Sequence, residues 1–181
     1  MGRVLVMYGD PPKMALFDER GRKVSHAFEL TASNLLSFQN ALRRALAAFL
    51  GTHLEVAGAE LVRLKDAETF VRVVKSGHYS HVIYYGHAIK ELNILLPALG
   101  QNLTPSRMAQ ALKESSVEHF DILGYEGATI AAELSPQVPK IRVGYLPAKR
   151  EDDVDVDVAT LRVRSLTIQP QTIQHFGGGH R

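Results

Sequence analysis

His81-Val82-Ile83-Tyr84-Tyr85-Gly86-His87 and, further along, Phe120-Asp121-Ile122-Leu123-Gly124-Tyr125-Glu126-Gly127 decide how this chain is read. Each begins as a run of β-branched, aromatic and aliphatic residues and ends abruptly at a glycine. Such near-continuous apolar runs suit strands buried on both faces of a sheet. Residues Val4 to Tyr8 form a third run, ended by Gly9-Asp10-Pro11-Pro12, and Ile141 to Leu146 a fourth. Together they predict the parallel strands of a doubly covered sheet.

The segments between them read as helices. From Leu35 to Leu50 apolar residues recur at helical spacing, with Thr31 as a candidate cap before them and Gly51 as a stop. Asp66 is placed to cap a helix running through Val74, which Gly77 ends. Thr104-Pro105 supplies a cap and a first-turn proline for a helix through Lys113. A shorter helix is expected from Ala128 to Leu134. Outside this alternation, Met14 to Phe17 and Lys23 to Phe28 flank Asp18-Glu19-Arg20-Gly21 and predict a hairpin. Residues His53 to Leu64 are strand-like at both ends around Gly58, and Leu92 to Leu96 is a short apolar piece.

Strands alternating with helices predict an α/β fold: a mostly parallel central sheet with helices on both faces, a three-layer sandwich of flavodoxin-like or caspase-like type. Residues 1–148 hold that pattern. Residues 149–181 add an acidic loop around Glu151-Asp152-Asp153, a late strand from Leu161 to Ile168 and a flexible tail, Gly177-Gly178-Gly179-His180-Arg181, all within the same domain. At 181 residues one domain is the expectation.

Composition narrows the function. The 21 basic and 19 acidic side chains nearly cancel, so charge gives no argument for nucleic-acid binding. No apolar stretch approaches the roughly 18 residues of a membrane span. The N-terminus lacks the long apolar core of a signal peptide, and Val6 stands where a myristoylation motif needs Ser or Thr. A cytoplasmic address follows as the expectation. Cysteine is absent, which excludes disulfides, thiolate metal sites and a Cys nucleophile. His26, His53, His78, His81 and His119 are scattered, and the pair three apart, His78 and His81, reads as surface histidines rather than metal ligands. The acidic run from Glu151 to Asp157 lacks the glycine and final Glu of a Ca²⁺ loop. No metal or cofactor is implied.

In open α/β sheets ligands gather beyond the carboxyl ends of the strands, where Gly86-His87 and Gly124-Tyr125-Glu126-Gly127 both lie. Those residues resemble the caspase-like cysteine peptidases, including the CHAT group found widely in prokaryotes. In that family a His follows one strand in a Gly-His-Gly or His-Gly context. The Cys follows the next parallel strand after a small residue, as in Ala-Cys-Arg-Gly or Ala-Cys-Glu. Gly86-His87 matches the first element, and Gly124-Tyr125-Glu126-Gly127 the second, with Tyr125 in the place of Cys.

A tyrosine hydroxyl, with an ordinary pKa of about 10, cannot replace a thiolate at neutral pH. The resemblance therefore implies an inactive relative, with His87, Tyr125 and Glu126 as a vestigial site and Gly86, His87, Gly124 and Tyr125 as binding residues. It implies a protein partner, such as an active peptidase or an effector, in a prokaryotic defence or signalling assembly. Two alternatives stand beside it. One is a hydrolase with His87 as general base and another nucleophile. The other is a flavodoxin-like small-ligand binder, although Pro11 and Pro12 leave few N–H donors after the first strand.

Overall fold

A strand with no polar face must be covered twice, and residues 4–8 are buried without a break. They belong to β1 (Arg3–Tyr8), an interior strand of the principal sheet. The computed structural model describes residues 3–9, 16–17, 23–24, 32–33, 35–36, 39–40, 42–43, 58–89, 94–98, 101–123, 127–145, 156–157, 162–163 and 174–176. In chain order β1 is followed by β2 (Leu16–Phe17), β3 (Lys23–Val24), β4 (Glu60–Arg63), α1 (Ala67–Ser76) and β5 (Tyr79–Tyr85). Next come β6 (His87–Ile89), β7 (Ile94–Ala98), β8 (Gln101–Leu103), α2 (Pro105–Lys113), β9 (His119–Leu123), α3 (Gly127–Leu134) and β10 (Arg142–Tyr145). Three short strands close the series: β11 (Val156–Asp157), β12 (Arg162–Val163) and β13 (Gln174–Phe176).

The principal sheet has the order β13-β10-β9-β5-β1-β4. Its five strands β4, β1, β5, β9 and β10 are mutually parallel, and β13 joins β10 antiparallel at the edge. Counted along the chain, the parallel strands run in the flavodoxin-like order 2-1-3-4-5, with the direction of winding reversing between β1 and β5. The expected parallel sheet, including the four strands named from sequence, is therefore present.

Alternation along the strands sorts side chains onto two faces. Leu5, Met7, Val82, Tyr84, Phe120, Ile122 and Val143 pack with α1, α2 and α3 into one apolar core. Phe70 of α1 meets Phe120 edge-on, with ring centroids 5.9 Å apart. From the other face, Gln39 in a helical stretch donates to the Tyr8 hydroxyl at 2.8 Å, and Leu42 beside it is buried. Helical cover thus reaches both faces.

Local chemistry fixes the helix ends as expected. Asp66 caps α1 by accepting from the Thr69 N–H at 2.7 Å and from its hydroxyl at 2.8 Å, and those bonds hold its carboxyl below the usual range. Thr104 caps α2, with Pro105 in the first turn. Gly127, rather than Ala128, opens α3. A Cβ on Gly127 would sit 2.9 Å from Ile122 Cγ2 and 3.0 Å from the Ile122 carbonyl oxygen, so only glycine lets this helix lie so close to β9.

Between β5 and α2 the chain builds a separate antiparallel sheet, β6-β7-β8. Only the apolar piece from Leu92 to Leu96 foreshadowed it. Pro97 lies inside β7 where the register with β8 shifts, as expected of a residue with no N–H for a ladder. The expected first hairpin is present as β2 paired with β3. Of the late strand from Leu161 to Ile168, residues 162–163 pair with β11, while the strand that reaches the principal sheet is 174–176. Thr31, Gly51, the turns at 10–12 and 18–21, the acidic loop 151–155 and the tail 177–181 lie outside the described residues.

Candidate functional site

Three strand ends meet at the point where the winding direction reverses. Gly9, just past β1, donates its N–H to the Tyr85 carbonyl of β5 at 3.0 Å. Gly86 donates to the Leu123 carbonyl of β9 at 3.4 Å. Strands β5 and β9 are direct neighbours, with Tyr84 opposite Ile122 and Tyr85 opposite Leu123. The segments singled out from sequence therefore leave the sheet side by side.

Packing requires the glycine of the first segment. A Cβ on Gly86 would lie 2.6 Å from the Tyr84 hydroxyl and 3.2 Å from the Gly9 nitrogen. Tyr84 is fully buried, and burial pushes its phenol far above the ordinary tyrosine range. Gly86 is thus the residue that lets a buried tyrosine and two strand ends share one place. Immediately after it the chain turns into β6, whose first residue, His87, stands opposite Leu96 of β7. Strand β6 lies against α3, the helix that begins just after position 126. Gly124, Tyr125 and Glu126 lie outside the described residues.

A second polar group sits deeper in the sheet, and sequence reasoning missed it. His81 is not a surface histidine: it is buried, and its Nε2–H donates to Asp121 Oδ2 at 2.5 Å. His78, by contrast, is exposed. His81 and Asp121 project from β5 and β9 on the face away from α1–α3. His119 stands directly opposite His81, with ring centroids 5.5 Å apart, and Arg142 of β10 stands opposite His119. Partial burial, with repulsion from His81 added to it, lowers the pKa of His119 from its ordinary 6.5. The available signal was a polar residue, Asp121, inside an otherwise apolar strand. It matches a histidine in the neighbouring strand once the register is known.

At the opposite end of the same strands, Glu60 accepts from Arg3 at 2.8 Å and from the Tyr79 hydroxyl at 2.6 Å. Arg3 also lies over the Tyr79 ring. Burial, with the bond to Glu60, pushes the Tyr79 phenol up to about 12. This cluster ties β4, β1 and β5 together at their amino ends, far from the strand-end site. Among the described residues no three His, Cys, Asp or Glu side chains gather as metal ligands. Among the same residues no helix is long and apolar enough to cross a membrane.

Comparison with known proteins finds no matching family model, no similar curated protein and no similar solved structure. The site must therefore be interpreted from its own chemistry. The chain has no thiol to act as a nucleophile. Around the strand ends the described chemistry is backbone N–H and C=O engaged in the sheet, a buried phenol and the histidine-bearing strand β6.

Proposed function

We propose that this is a caspase-like protein, akin to the CHAT group, that has lost peptidase chemistry and works by binding another protein. The observation that carries the proposal is the adjacency of β5 and β9, with Gly86 bonded to Leu123 across their ends. The caspase-like pattern needs its histidine and its nucleophile on neighbouring parallel strands, and the two motif segments start from such a pair. Tyr125 in the nucleophile position and the absence of cysteine leave the pattern without its reaction. Gly86, His87, Gly124 and Tyr125 are then the binding residues, and His87, Tyr125 and Glu126 the remnant of the catalytic set. By the same resemblance the partner is a peptidase or effector in a cytoplasmic prokaryotic defence or signalling assembly.

The strand order supports a second reading. A 2-1-3-4-5 sheet places small ligands at the reversal between its first and third strands, here β1 and β5. The Gly9 N–H that such a ligand would use is already bonded to Tyr85, which favours the protein-binding reading.

Capture from the native host with wild-type protein, His87→Ala and Tyr125→Arg tests the proposal. A single stoichiometric partner retained by wild-type and lost with both variants is expected, with no turnover of peptide substrates by any of the three. Peptide or ester hydrolysis that disappears in His87→Ala would overturn it in favour of a hydrolase using another nucleophile. Stable binding of a small molecule competing with neither variant would favour the ligand at the β1–β5 reversal.

A further inference from the structure

We propose that the row formed by His81, His119 and Arg142 against Asp121 is an acid-sensitive joint between β5 and β9, the two strands that end at the candidate site. It does not depend on what the strand ends bind. Three neighbouring strands each contribute a basic side chain to one line across the sheet: His81 from β5, His119 from β9 and Arg142 from β10. Asp121, on the same face, is bonded to His81 at 2.5 Å, and both members of that pair are buried. His119 lies between this pair and Arg142.

At neutral pH His119 is uncharged. Protonation of His119 sets an imidazolium beside the His81 ring and beside the Arg142 guanidinium, in a half-buried place where water screens poorly. Two groups oppose this, Asp121 and Glu118, whose charges favour the protonated ring. Burial and the two basic neighbours outweigh them, so the folded protein resists the proton.

The direction of the effect follows from linkage. Unfolded, His119 takes its proton near 6.5; folded, it takes it at a lower pH. Between those values the unfolded chain binds more protons, so stability falls as the pH falls below 6.5 and levels off once the folded pKa is passed. The loss is concentrated around β9, between β5 and β10, where the repulsion arises. The strands that position the candidate site therefore hold together more firmly at neutral than at acid pH.

Two measurements on the full chain test the joint. The His119 ring proton resonances of the wild-type protein, followed by NMR against pH, should titrate below 6.5. In parallel, the melting temperature is recorded from pH 8 to pH 5 for wild-type and His119→Gln. Wild-type should lose more of its melting temperature than the variant over that range. Backbone amide exchange should quicken in β5 and β9 ahead of β4 as the pH falls. A His119 titration at or above 6.5 overturns the proposal without need of any variant. Parallel melting profiles for wild-type and His119→Gln also overturn it.

Discussion

The two faces of the central sheet solve the same burial problem with different chemistry. The face under α1–α3 is apolar throughout, from Leu5 and Met7 to Phe120, Ile122 and Val143. On the other face Val6, Tyr8, Ile83 and Leu123 are equally buried, yet His81 and Asp121 are buried among them. The first face draws its stability from area removed from water and from close packing. The second includes a buried hydrogen-bonded pair, His81 and Asp121, that packing alone would not require, and removal of one partner leaves the other stranded. Both faces bury apolar area, while the polar pair lies on the second alone.

Substitutions on the two faces should separate these roles. The largest effect is expected from Phe120→Ala, which empties a site packed edge-on against Phe70. It should cost about 3–5 kcal/mol in denaturant unfolding, with no dependence on pH between 5 and 8. Asp121→Ala comes next, at about 3 kcal/mol, because it strands a buried histidine. The double substitution His81→Leu with Asp121→Val should recover much of that loss, since an apolar replacement of a buried pair is often close to neutral. If the double variant is no better than Asp121→Ala, the pair contributes more than mutual compensation and the contrast between the faces is wrong.

At the strand ends, Gly86→Ala should cost about 1–3 kcal/mol by driving a methyl into the Tyr84 hydroxyl. Combining it with Tyr84→Phe should relieve part of that cost, measured as a coupling energy in a double-mutant cycle. The smallest effect is expected at the surface ion pairs that join α1 to α2, Lys75 with Glu114 and Arg107 with Glu68. Lys75→Ala or Arg107→Ala should change stability by less than about 1 kcal/mol, because these side chains remain substantially exposed.

The same difference between faces explains what could be read from the sequence. Strands β1, β5, β9 and β10 were legible because both of their faces are mostly apolar, and the caps Asp66 and Thr104 because capping is a local hydrogen bond. Strands β6, β8 and β13 were not. Each is three residues long, too short for any period to show; β6 and β8 form only against the neighbouring β7, and β13 only against the more distant β10. The Gly86-His87 half of the site was visible as a strand end, but the reason for its glycine, contact with Tyr84 and Gly9, is tertiary. The His81–Asp121 pair was hidden for a similar reason. A histidine at a strand start and an aspartate inside another strand become partners only when β5 and β9 are placed side by side in register.

The central claim is that the segments after β5 and β9 converge into one site. A chain without cysteine offers a direct test, since thiols can be introduced without interference. The double variant His87→Cys/Tyr125→Cys puts one thiol two positions after each of a pair of cross-strand neighbours, Tyr85 of β5 and Leu123 of β9. Mild oxidation of the folded protein should therefore close an intramolecular disulfide, seen as a shift in mobility reversed by reductant and absent from either single variant. Two freely alkylated thiols that never link while the protein stays folded would contradict the account.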